Sequence, residues 1–244
     1  MPYFRTMHKP CVTHIGHPED LADAPPGLSG EGIMVSERPQ EWRSILGLNG
    51  PEWKLRYSAA QWVDAMGIDD QTYRELEAWM MIAGNDYMRP KRLFVTHVWD
   101  EDGVVLVEQR FQVFAEAAKS VGRSEEEERE AASAGNGAVE ELEGYVLTKR
   151  ALKRLGGNWS DPTRWFDAAA ILYTRDVIMP KKPLVVGLWW REAFSRDGKS
   201  AESGLVFPEA LSLFDVEDEE GDIKSFTEQF PEVDLPERFV LDLE

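Results

Sequence analysis

The chain has 244 residues, 43% of them hydrophobic, with nine tryptophans, one cysteine and a formal net charge of −18 from 45 acidic against 27 basic side chains. This apolar content excludes a wholly disordered chain, no apolar run reaches the ~20 residues of a bilayer-spanning helix, and a lone cysteine excludes an internal disulfide framework. The negative field repels nucleic-acid phosphates and anionic membranes and favours a basic protein partner, or else serves solubility alone.

In chain order, "CVTHIG" has the character of a short strand, "PPGLSG" is a turn-rich connection and "GIMVS" is a second short apolar strand. "RPQEWRSILG" predicts a helix, with Pro39 in its first turn and Gly47 placed to end it. "EWKLRY" follows as a strand, with Trp53, Leu55 and Tyr57 on one face by the period of two. Ser58 is then an expected N-cap for a helix over "AAQWVDAMG". The clearest helical pattern is "DDQTYRELEAWMMIAG". Tyr73, Leu76, Trp79, Met80 and Ala83 form its apolar stripe, and Gly84 is positioned as C-cap.

"KRLFVTHVWDEDGVVLVEQRF" reads as an antiparallel pair around an Asp–Gly turn, with helix expected to follow through "FQVFAEAAKSVG". Ser124 and Glu127 have capping-box spacing. "EEEEREAASAGNGAVEE" is read as a linker or a long surface excursion, so residues 122–138 are the one place where the chain would divide. A strand at "YVL", a Thr148 N-cap and a short helix ending at Gly156–Gly157 come next. Asp161–Pro162 opens a further helix through "TRWFDAAAILY". "PLVVGLWW" is the strongest buried strand, with "GLVF" as its expected neighbour, and "DVEDEEGD" is an exposed loop. Hairpin-like strands mixed with helices, without regular βαβ alternation, give an α+β fold with a mixed, largely antiparallel sheet and packed helices, expected as one domain over 1–244.

Three constellations bear on chemistry. His8, Cys11, His14 and His17 stand three residues apart in "MHKPCVTHIGHPED", and imidazole with thiolate makes a zinc-ligand set. On a helix, however, three-residue steps carry the first and last side chains to opposite sides. On a strand, His8 and His14 take one face while Cys11 and His17 take the other. Only a tight loop gathers all four, so no metal site is expected. The second constellation is charge. Asp215, Glu217, Asp218, Glu219, Glu220 and Asp222 form a dense acidic segment suited to a basic surface such as a nuclease or toxin presents, as does "EEEERE" at 125–130. Lys149, Arg150, Lys153 and Arg154 form a small basic cluster at i, i+4 spacing on the short helix.

The third constellation carries a family resemblance. His14 on a strand, then "PGL", then "GEGIMVSERP" resembles the first third of ADP-ribosyltransferases over about residues 12–42. The resemblance implies an NAD-binding pocket with His14 as a site residue. It sets Met34 where the family has a tyrosine, leaving Tyr57 as the substitute, with Glu202 and Glu209 competing for the late glutamate. It therefore implies either a transferase or an inactive relative. No secretory h-region precedes these motifs, which suggests a soluble, cytoplasmic protein needing no cofactor for its leading role. That leading role is stoichiometric binding, as an immunity or inhibitor protein neutralising a basic protein. The NAD-binding enzyme is the alternative, and a structural or assembly protein is a third reading.

Overall fold

A computed structural model describes residues 1–16, 32–46, 48–82, 84–99, 105–112, 124, 126–127, 130, 137–155, 165–194, 199–233 and 235. The fold is α+β, with three sheets and six helices among the described residues. The strands are β1 (Thr6–His8), β2 (Cys11–Ile15), β3 (Ile33–Val35), β4 (Glu52–Arg56), β5 (Gln61–Asp64), β6 (Met88–Trp99), β7 (Val105–Gln112), β8 (Gly137–Leu147), β9 (Val185–Phe194), β10 (Lys199–Val206), β11 (Asp215–Glu217) and β12 (Ile223–Ser225). The helices are α1 (Pro39–Leu46), α2 (Asp70–Met81), α3 (Lys149–Leu155), α4 (Trp165–Tyr173), α5 (Pro208–Leu211) and α6 (Phe226–Gln229).

A five-stranded sheet runs β1-β5-β9-β10-β3, a four-stranded sheet β12-β11-β4-β2, and a three-stranded sheet β7-β6-β8. Among the described residues, only β5 and β9 pair in parallel and every other ladder is antiparallel. The first two sheets touch where Thr13 of β2 exchanges two backbone hydrogen bonds with Ser36, at 2.8 and 2.9 Å. Helix α4 packs against α2, α3 and β8. Its run Ala168, Ala169, Ala170, Ile171, Leu172 and Tyr173 is buried on every side, as expected of an apolar helix inside a core.

Local chemistry accounts for the helix ends. Asp69 caps α2 by accepting from the Thr72 amide at 2.7 Å, and Thr148 caps α3 by accepting from the Ala151 amide at 3.3 Å. Ser225 and Glu228 form a reciprocal capping box on α6. Ser124 and Glu127 make the same two exchanges, at 2.7 and 3.2 Å, as their spacing predicts. Helix α4 continues into a wider turn over Thr174–Ile178, where the Met179 amide reaches back five residues to the Thr174 carbonyl. That turn is pinned from outside by ion pairs of Arg175 with Glu209 and of Asp176 with Arg154.

Five expectations need correction. "AAQWVDAMG" is not a helix. Ser58 lies in a turn and residues 61–64 form β5 between β1 and β9. Trp62 and Val63 are consecutive and both fully buried, so the strand shows no alternation, and the alanines that flank it imitate a helix. In α2 the buried positions are Thr72, Leu76 and Met80, while Tyr73 is 40% exposed, and the helix ends with Ile82 as C-cap. Gly84 instead takes φ +109° in the turn beyond. The third correction concerns "GAVEE", which begins β8, paired with β6 from Gly137 onward. Fourth, "DVE" of the acidic segment is β11 and not loop. Finally, Phe111 and Gln112, read as the start of the helix through "FQVFAEAAKSVG", belong to β7. The rest of that stretch at 113–122, the "PPGLSG" connection, the expected helix start at 161–164, and the Gly47, Ala83 and Gly156–Gly157 positions lie outside the described residues.

The centre of the five-stranded sheet is an edge-to-face pair of Trp62 and Trp189, with ring centroids 5.3 Å apart. Gly204 makes room for it: a Cβ there would sit 2.4 Å from Trp189 Cε3 and 3.1 Å from Trp62 Cζ3. Both indoles are fully buried and have nowhere to retreat. Gly204→Ala is therefore expected to cost about 1–3 kcal/mol by overpacking. A lowered urea midpoint at unchanged slope would show it, and an unchanged midpoint would contradict this packing.

Candidate functional site

The acidic segment forms a hairpin at the edge of the four-stranded sheet. β11 pairs with β4 on one side, Asp215 across from Arg56 and Glu217 across from Lys54, and with β12 on the other. Lys54 (2.5 Å) and Arg56 both bond the Glu217 carboxylate, whose side chain is only 13% exposed. Hydrogen bonding from Lys54 above all, with Arg56 adding its bond and charge, holds the Glu217 carboxyl below its usual pKa. Asp218 caps the turn by accepting from the Glu220 and Asp222 amides at 3.0 and 2.9 Å. Glu219 accepts from the Glu52 amide at 3.0 Å. The carboxylates of Asp215, Glu220 and Asp222 make no such bond among the described residues, and all three residues are exposed.

The six acids are thus divided by role: Glu217, Asp218 and Glu219 hold the hairpin, and Asp215, Glu220 and Asp222 give it charge. A cleft of about 330 Å³ opens between Glu52 and Lys54 of β4 and residues 217–221 of the turn. It has the volume for a long side chain, and its walls are acidic apart from Lys54, which is already paired.

The structure separates the His/Cys candidates. His8 lies on β1 in the five-stranded sheet and its ring donates to the Ser58 carbonyl at 2.8 Å. Cys11 and His14 lie on β2 in the four-stranded sheet, opposite Arg56 and Trp53. His14 Nδ1 donates to the Met34 carbonyl at 2.8 Å, so its ring rests against β3. His17 is outside the described residues, among which no group of three His, Cys, Asp or Glu side chains is gathered as a metal site. Nor are His14 and Tyr57 brought together. Tyr57 bonds the Pro10 carbonyl through its amide and stacks edge-on with Phe214. It stands four residues along β4 from the partner of His14, about 13 Å at strand rise.

A second cluster was not legible in the sequence. Lys9, only 12% exposed, places Nζ 2.5 Å from Glu37, 4.0 Å from Glu202 and 4.2 Å above the Trp189 ring. Glu202 also accepts from Trp189 Nε1 and Arg191, each at 3.3 Å, and its carbonyl accepts from Ser36 Oγ at 3.1 Å. Burial pushes the Glu202 carboxyl up, but the bonds from Trp189 and Arg191 and the charge of Lys9 outweigh it and hold the pKa below the usual value. The lone signal in the sequence was that Glu202 competes as a late glutamate. Nothing in the spacing ties it to Lys9, 193 residues earlier. Glu209, its competitor, is instead the ion-pair partner of Arg175. The basic cluster of α3 is exposed, with Arg154 paired to Asp176 and Arg150 over the Tyr87 ring.

No family model, curated protein or solved structure matches this chain. No helix among the described residues is long and apolar enough to cross a membrane.

Glu217 and Glu202 both have depressed folded-state values, so each contributes stability above the unfolded carboxyl pKa. That contribution is lost as pH falls through the folded value. The melting temperature is expected to hold from neutral pH to about 5 and to fall below the unfolded glutamate value of about 4.3. Glu217→Gln should lower the neutral-pH melting temperature and flatten that acid limb; an unaltered limb would show that Lys54 and Arg56 do not stabilise the carboxylate.

Proposed function

We propose that the protein acts by stoichiometric binding of a basic protein, as an immunity or inhibitor protein does, through the hairpin at residues 215–222. The observation that carries this reading is the cleft between β4 and the turn. Lys54 at the cleft and Arg56 beside it are already bonded to Glu217, while Glu220 at the cleft and Asp215 and Asp222 on the same hairpin are exposed and form no ion pair among the described residues. A lysine or arginine from a partner supplies the missing counter-charge, and the net charge of −18 steers its approach. The test is affinity capture from native lysate, followed by kinetics on the captured protein. A basic protein in a one-to-one complex is expected, with association slowing as salt rises. Glu220→Lys with Asp222→Lys should slow it about tenfold at low ionic strength. A complex indifferent to both salt and charge reversal would overturn the reading.

NAD binding at the His14 strand is a second reading. The observation favouring it is that β10 brings Glu202 beside Ser36, at the end of the strand against which His14 rests. It predicts saturable NAD binding that is lost in His14→Ala and in Glu202→Gln. Calorimetry showing no heat at millimolar NAD would remove it.

A further inference from the structure

We propose that the basic partner docks as an extended segment, adding a strand to the open edge of the four-stranded sheet at β12. This rests on the partner-binding reading above and specifies how the contact is made. The sheet has two edges, β12 and β2. The β2 edge is engaged, because Thr13 exchanges both of its backbone bonds with Ser36. β12 has β11 on one side and no strand on the other among the described residues.

The hydrogen-bond phase shows what that edge offers. The Asp218 amide bonds the Asp222 carbonyl at 3.1 Å, and the Phe226 amide bonds the Phe214 carbonyl at 2.9 Å. Alternation between these points makes Val216 and Lys224 the bonded pair inside the hairpin, so the backbone groups of Ile223 and Ser225 face away from β11. The Ser225 amide is taken by Glu228 at 3.1 Å. What remains is the N–H and C=O of Ile223, aligned for a residue that exchanges both bonds, and the C=O of Ser225 beyond it. The Ile223 side chain is 57% exposed, an apolar contact beside these polar groups.

Charge selects the occupant. A second copy of this chain would bring its own acidic hairpin against Glu220 and Asp222 and be repelled. An added strand carrying lysine or arginine at alternate positions meets those carboxylates on one face and Ile223 on the other. Backbone pairing then supplies alignment, and charge supplies encounter.

The test uses the intact protein and a blocked twelve-residue peptide of alternating lysine and valine, with a counterpart N-methylated at every amide so that neither of its edges can donate. Binding of the first peptide at 20 mM salt, and about tenfold weaker binding of the second, is expected from the loss of one or two hydrogen bonds. On the protein side, Ile223→Pro removes only the outward N–H, since the inward ladder does not use it, and should cost a similar factor. Ile223→Ala keeps the donor and should retain most of the affinity, which separates the lost side chain from the lost bond, and an unchanged melting temperature of Ile223→Pro separates the lost bond from a fold defect. Equal affinity for the two peptides, or no effect of Ile223→Pro, overturns the edge pairing. If Glu220→Lys with Asp222→Lys still weakens binding in that case, the acidic contact survives without it. Absence of any binding by the lysine–valine peptide also overturns the edge pairing, and leaves partner capture to decide the broader reading.

Discussion

Two indoles packed edge to face at the middle of the five-stranded sheet govern much of what surrounds them. Trp62 and Trp189 meet over Gly204, and each sends its ring nitrogen outward to a polar partner. Trp62 Nε1 donates to the Lys9 carbonyl at 3.1 Å, and Trp189 Nε1 donates to Glu202. Lys9 in turn lies over the Trp189 ring, where desolvation strengthens a cation–π contact. From Glu202 the contacts continue through Ser36 to Thr13, and so into the four-stranded sheet. Core packing and surface charge are therefore joined through a short series of contacts. An indole is well suited to the junction, being apolar in its body and a hydrogen-bond donor at one edge.

The acidic hairpin depends on the far end of that arrangement. β4 is held between β2 and β11, and Arg43 ties the approach to it by bonding Glu52 and the carbonyls of Leu48 and Gly50. Gly50 has φ +147° and comes so near Gly16 that a Cβ would sit 3.1 Å from its Cα, which fixes two loops against each other. Upon this base, three carboxylates of the hairpin serve its geometry and three face outward. The cost of holding like charges close together is reduced because Lys54 and Arg56 stand across the ladder from β11.

What could be read beforehand follows from how local each signal is. Caps needed only three or four neighbouring residues, and Thr148 and Ser124 act as their spacing predicts, whereas the caps Asp69 and Ser225 went unread and Ser58 precedes a strand. The β9–β10 pair was legible because an uninterrupted apolar run buried on both faces has few other uses. β5 was not, since its identity as a strand comes from β1 and β9 on either side. The start of β8 was hidden by glutamates that a linker would also carry, yet the register sets Glu143 across from Arg92. At the site, the acidic run was visible, but its division between holding and facing residues was not, because Lys54 and Arg56 lie more than 150 positions away. The Lys9–Glu202 cluster is likewise non-local.

The same remoteness has a consequence for synthesis. β3 pairs with β10, and β4 with β11 as well as with β2, so these early strands are fully paired only once residues 199–217 have been made. Pairings this distant in sequence slow folding, because loop closure precedes the contacts that compensate it. On the ribosome, β3 and β4 therefore wait with unpaired edges while more than 140 further residues are added. The hairpin at residues 215–222 is made after all the strands of the five-stranded sheet. Until β11 emerges, the edge of β4 that it covers stays open to mispairing with other strands.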